Sequence, residues 1–140
     1  MILDRKNELY IKLYTSLSTG HANTSQDMLI RLETMVLSGA NLPVEVIRKQ
    51  ISSAIDIMVH LTRMRDKSRK ITEISEIAGL SEGEVILNPL FVFDDRGEDE
   101  AGKVNGELIY TGNPLINDWK CRMAGVRTPA WLRIGKGASS

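Results

Sequence analysis

Few side chains in this 140-residue chain can do chemistry, and their spacing narrows what they could do. The stretch SLSTGHANT, residues 16–24, places hydroxyl groups, a glycine, His21 and an asparagine directly ahead of an amphipathic run. Glycine lets a backbone approach a ligand closely, and an imidazole can donate to a phosphate oxygen with a charge adjustable near neutral pH. The same composition also makes an ordinary corner between a strand and a helix, so these residues by themselves leave both readings open. Arg63, Arg65, Lys67, Arg69 and Lys70 form a second group. Arginine presents a planar fork suited to phosphate and carboxylate, as at an anion contact or a subunit interface. A solvated hairpin broken by Asp66 is the plainer reading.

Other chemistries lack their parts. A phosphate loop of the form G-x-x-x-x-G-K-[ST] wraps phosphates in backbone N–H groups and neutralises them with its lysine. The nearest approach, Gly135-Lys136-Gly137, has Ala130 in place of the first glycine and Gly137 in place of the metal-holding hydroxyl. Two distant histidines, His21 and His60, and a single cysteine make no zinc pattern, so no metal site is expected. Cys121 has no base or orienting partner in its vicinity and reads as an ordinary tail residue.

Composition sets the outer bounds. A chain of this length with 42% hydrophobic residues can build one core. Basic and acidic residues number 18 each, so no overall field favours nucleic acid or an anionic membrane. Any charge-driven contact must be local. A lone cysteine and charged residues in the opening segment point to a reducing, cytoplasmic compartment. No apolar run approaches the roughly 18 residues a membrane span needs.

The elements that would position these groups follow from periodicity. Residues 1–14 carry Ile2, Leu9 and Leu13 at spacings compatible with a short helix, and Ser16–Thr19 reads as a short strand. Thr24, with Asp27 three positions on, predicts a helix start. Met28, Leu29, Leu32, Met35 and Val36 then fall on one face, and Gly39 ends the run. Pro43 opens a second helix with Val44, Ile47, Ile51 and Ala54 as its stripe. Ile55, Ile57, Val59 and Leu61 alternate with polar residues, predicting a strand with that set as its buried face and His60 pointing away. Strand, helix, helix, strand is a crossover long enough for parallel neighbours, so Ser16–Thr19 and Ile55–Leu61 are expected to pair in parallel. Short gaps with turn chemistry at Ser81-Glu82-Gly83 predict antiparallel hairpins next. Residues 94–103 read as an acidic loop, Leu108–Tyr110 as a further short strand, and residues from Gly112 onward as a loosely structured tail.

Four words of the sequence, in this order, carry a family likeness: S-L-S-T-G-H-A-N, R-L-E-T-M-V, I-R-K-Q-I-x-S-A-I-D and R-x-R-D-K-S-R. Over Ser16–Ile77, and more loosely to Asp94, the chain resembles the C-terminal part of the type II/IV secretion and pilus-assembly ATPases, in the CpaF-like branch. The resemblance implies an α/β fold, the C-terminal part of a RecA-like ATPase domain, with two helices, a parallel strand pair and an antiparallel hairpin extension. It implies ATP and Mg as cofactors, a hexameric ring of homo-oligomeric or full-length ATPase subunits, inner-membrane platform proteins as partners, and a peripheral place at the cytoplasmic face of the membrane. Thr19, Gly20 and His21 would be the end of the histidine box, near the nucleotide phosphates and linking hydrolysis to motion.

The departures are specific. In that family the phosphate loop and the acidic metal-positioning and water-activating residues precede the histidine box, and here 15 residues precede Ser16. Lys12-Leu13-Tyr14-Thr15 stands where the box has a further glycine–histidine pair. The expected organisation is thus an N-terminal segment at 1–14 whose origin the sequence leaves open, a partial ATPase domain at 15–93, and an acidic loop with a poorly structured tail at 94–140. The expected function is a segment of an export or pilus-assembly motor, not hydrolytic alone, or else a non-catalytic module docking on intact subunits through Arg63, Arg65, Lys67 and Arg69. Nucleic acid is not expected as a partner, because Phe91 and Phe93 are too few and too poorly placed for a stacking platform.

Overall fold

Thr24 starts the first helix as expected: its Oγ1 accepts from the backbone N–H of Asp27 at 3.0 Å. The computed structural model describes residues 17–39 and 41–135. Helix α1 runs Ser25–Gly39 and α2 runs Val44–Ala54, followed by strands β1 (Ile57–Arg63), β2 (Arg69–Ser81), β3 (Glu84–Glu98) and β4 (Val104–Tyr110). Two short helices follow, α3 (Trp119–Met123) and α4 (Ala130–Ile134). The architecture is mixed α/β, with a four-stranded sheet of order β1-β2-β3-β4 whose neighbours are all antiparallel.

The expected parallel strand pair is not present among the described residues. Leu17–Thr19 takes no strand conformation, and β1 pairs with β2 alone, antiparallel. Ser16 and the segment 1–14 lie outside the described residues. The physical reason is the tight turn at Met64–Ser68, where Met64 N–H donates to the Ser68 carbonyl at 2.8 Å. It returns the chain at once, and a long hairpin forms before any more distant strand can compete.

The buried face of β1 is also the reverse of the expected one. Ile57, Val59 and Leu61 are 43%, 50% and 58% exposed, whereas Met58, His60 and Thr62 are half-buried beneath the helical side. Met58 packs against the core of Leu29, Ile47, Ile51, Ile77 and Val85, which α1 and α2 build on that face of the sheet. Leu32 and Val36 of α1 join it, but Met35, expected in the core, is 62% exposed.

Hairpin chemistry sets the sheet. Glu82 and Gly83 both hold positive φ, 51° and 81°, between paired Ser81 and Glu84, which is a two-residue turn matched to strand twist. Pro89 lies within the central strand β3, where it cannot donate, and the register shifts there between Ile74 and Ser75 of β2. Gly106 has no alternative: a Cβ would stand 2.3 Å from the Asp94 carbonyl oxygen and 2.7 Å from the Phe93 ring.

The expected boundary at 93/94 does not exist, because β3 continues through it to Glu98. The acidic stretch is ordered by its charges. Arg65 donates to both oxygens of Asp95 and to Glu98, and Arg96 to Asp94 and Glu107. Nor is the tail loose. It lies on the face opposite the helices, where Phe91, Tyr110 and Trp131 stack at 5.0–6.3 Å between ring centroids. Glu76, 1% exposed, accepts from Asn88 Nδ2 and from the backbone N–H groups of Ile116 and Asn117. No helix among the described residues is long and apolar enough to cross a membrane.

Candidate functional site

The segment from Leu17 to Asn23 approaches α1 over the polar face of β1, and two side chains hold successive carbonyls of it. Arg31, one turn and more into α1, donates from Nη1 to the His21 carbonyl. His60 places Nε2 3.4 Å from the Ala22 carbonyl oxygen. The other ring nitrogen, Nδ1, lies 3.1 Å from the Thr72 hydroxyl. Thr62 and Thr72 are 2.8 Å apart and complete a polar cluster across β1 and β2.

Thr19, Gly20 and His21, the residues expected near phosphate, are all exposed. Gly20 lies against α1 closely enough that a Cβ would stand 2.4 Å from Met28 Cε. Ser25, at the first position of α1, is buried with no hydrogen-bond partner for its Oγ among the described residues. Arg31 and Glu33, two positions apart, do not pair with one another. Arg31 serves the His21 carbonyl, while Glu33 accepts from Arg48 Nε at 3.0 Å. Arg48 also reaches the Gly83 carbonyl at 3.0 Å and Glu84 at 2.6 Å, so one guanidinium ties α1, α2 and the β2–β3 turn together. Neighbouring acids raise its pKa above the ordinary arginine value, the Glu33 hydrogen bond foremost.

Sequence reasoning places His60 away from the buried face as a packing or surface residue, and passes over Arg48. The signal for His60 is the polar half of the β1 alternation, Met58-His60-Thr62, which loses its weight once the apolar half is assigned to the core. Arg48 carries no local signal, since its partners come from three other elements.

The four basic residues expected at an interface are not brought to one point. Arg65 is engaged internally with Asp95 at 2.5 Å and Glu98 at 2.7 Å. Its hydrogen bond holds the Asp95 carboxyl down at about 2, helped by the Gly97 N–H. Asp66 is held well below the usual carboxylate range by the Ser68 hydroxyl and then by the backbone N–H groups of Val104 and Ser68. Thus Asp66 does not break a solvated run; it pins the β1–β2 turn to β4. Lys67 sits in that turn at φ 67°, and Lys70 lies 5.7 Å over the Phe93 ring. Arg63 and Arg69 stand directly opposite one another in the β1–β2 ladder, both exposed.

Thr19, Gly20 and His21 are all exposed, so the segment makes no enclosure of its own. Among the described residues no group of three or more histidine, cysteine or acidic side chains is placed to hold a metal ion. Compared with models of known protein families and with curated proteins, the chain matches none.

Proposed function

We propose that this chain is the C-terminal segment of a type II/IV secretion or Flp-type pilus-assembly ATPase of the CpaF-like branch, working in the cytoplasm within a ring of six. The observation that carries the reading is the anchoring of the Leu17–Asn23 segment. Arg31 holds the His21 carbonyl and His60 the Ala22 carbonyl, while His21 itself is exposed. A backbone fixed at two successive carbonyls positions an imidazole for a phosphate oxygen with little freedom left to lose. The same two contacts lead from His21 into α1 and into β1, so a shift of the segment on meeting a phosphate would be passed to both layers.

ATP and Mg would supply the bond to be broken and its charge neutralisation; the residues that grip them in this family are not in this sequence. The chain's own part is the distal wall at Thr19, Gly20 and His21. By itself it should show no ATP turnover above background. Mixed with an intact ATPase of the family it should co-purify, and His21→Ala should alter turnover of the mixed assembly while leaving association intact. No association with the intact ATPase, with turnover indifferent to His21→Ala, would sink the reading.

A second reading is a non-catalytic module that docks on full-length subunits, favoured by the apolar outer face of edge strand β1. It predicts association that lowers turnover to the same extent for the unaltered chain and for its His21→Ala variant.

A further inference from the structure

The net charge of zero conceals a local imbalance. Between Gly112 and Gly135 the chain carries Lys120, Arg122, Arg127 and Arg133 against one acid, Asp118. Lys120 turns away to pair with Asp56 at 2.5 Å. The other three line a single concavity of about 490 Å³ between α3 and α4, together with Asp118, Val126 and Thr128.

Three successive pieces of the tail supply these arginines: Arg122 in α3, Arg127 in the connection, and Arg133 in α4. The pieces are fixed independently of the arginines. Val126 N–H donates to the Cys121 carbonyl at 2.9 Å, Leu115 N–H to Leu132 at 2.7 Å, and the Tyr110 hydroxyl to the Trp131 carbonyl at 3.1 Å. Gly135, at φ 75°, comes so near Gly112 that a Cβ would stand 2.6 Å from its carbonyl oxygen, which closes the base of the tail. Asp118 pairs with Arg122 at 3.0 Å, and Arg127 and Arg133 have no carboxylate partner among the described residues. A fixed scaffold that gathers like charges around a concavity is complemented by an anion.

We propose that this concavity binds a phosphate-bearing anion. Guanidinium forks pair bidentately with phosphate oxygens, Thr128 adds a hydroxyl donor at the wall, and the volume lies within the range of small-ligand pockets, roughly 300–1,000 Å³. That leaves room for more than a single phosphate, as in a diphosphate or a phosphorylated organic group. A soluble phosphoryl compound and a lipid headgroup share this chemistry, and the experiment separates them. The inference does not depend on the motor reading.

The probe is inorganic pyrophosphate, titrated into the full chain and followed by calorimetry and by tryptophan fluorescence. In parallel, sedimentation is measured with phosphatidylcholine vesicles with and without phosphatidylglycerol. Saturable pyrophosphate binding, weakened about tenfold or more by Arg127→Gln or Arg133→Gln, supports a soluble ligand. Binding only to the phosphatidylglycerol vesicles, with the same dependence on Arg127 and Arg133, supports the site with a headgroup as its source. Arg127→Lys keeps the charge without the fork and should fall between, which covers a glutamine variant that fails to fold. No binding to either probe overturns the site. So does affinity that is unchanged in the Arg127→Gln, Arg133→Gln double variant or that falls instead with Arg63→Gln, Arg69→Gln.

Discussion

His60 Nε2 lies 3.4 Å from the carbonyl oxygen of Ala22, joining the strand-forming half of the chain to the residue beside His21. The contact turns an apparently passive strand histidine into the support of the segment that carries the only other imidazole. Removing it should free that segment without unmaking the sheet. His60→Ala is expected to cost about 1 kcal/mol, the net worth of an ordinary hydrogen bond. Limited proteolysis should quicken within residues 17–23 while amide exchange stays slow in Glu73–Ile77. Uniform quickening across both regions would show that His60 serves the fold as a whole.

Glu76 governs the other face. Its carboxyl group receives Asn88 Nδ2 and two backbone N–H groups of the tail. Glu76→Gln places an amide where donors converge, leaving at least one buried N–H unmatched. A loss of roughly 1–3 kcal/mol is expected in chemical denaturation, preceded by a change in tryptophan fluorescence as the Trp131 stack loosens. An unchanged midpoint would mean that the aromatic stack alone seats the tail.

Acid should weaken the hairpin end first. Asp95 and Asp66 both have folded values below the ordinary carboxylate, Asp95 at about 2 through its bond to Arg65 and Asp66 through Ser68 and Val104. For a depressed group the stabilisation is present above the unfolded value, about 3.9, and is lost as pH falls toward the folded one. The denaturation midpoint should therefore decline between about pH 4 and pH 2. Asp95→Asn should shrink that decline. Both carboxylates are solvent-accessible, so added salt should blunt the Asp95 contribution.

The outer side of β1 predicts association. Ile57, Val59 and Leu61 are exposed on a strand that has no second strand partner among the described residues. Such an edge is a template for another chain. Sedimentation velocity should show concentration-dependent self-association, and Val59→Lys should abolish it with little effect on melting. A species that stays monomeric at high concentration and binds no hydrophobe-sensing dye would show that the edge is covered in the whole chain.

Two glycines should differ sharply. At Gly20 an added Cβ meets the flexible end of Met28, whereas at Gly106 it meets the Asp94 backbone and the Phe93 ring. Gly106→Ala is expected to cost about 1–3 kcal/mol by overpacking and Gly20→Ala much less, by thermal or urea melts. Equal costs would mean that Met28 is as tightly seated as the β3–β4 ladder.

Local chemistry is legible wherever the cause of a structure is local. The start of α1 follows from Thr24 and Asp27, its end from Gly39, the β2–β3 turn from Glu82-Gly83, and the existence of β1 from its alternation. Alternation names two faces but not their neighbours. Apolar Ile57-Val59-Leu61 is the natural choice for the core, yet α1 and α2 cover the face of Met58, His60 and Thr62, because Ile77 and Val85 enter from β2 and β3 to meet Leu29, Ile47 and Ile51. That choice rests on residues far apart in the chain. The acidic run 94–103 reads as loop by composition, and pairing with β4, with Arg65 arriving from another hairpin, makes part of it strand. The sequence alone determined helices α1 and α2, the β2–β3 turn and the existence of β1, while the short helices α3 and α4 read as loose tail. Tertiary structure decided which face is inside, that His60 supports Ala22, and that three arginines of the tail meet around one concavity, since each depends on contacts between segments that no local period encodes.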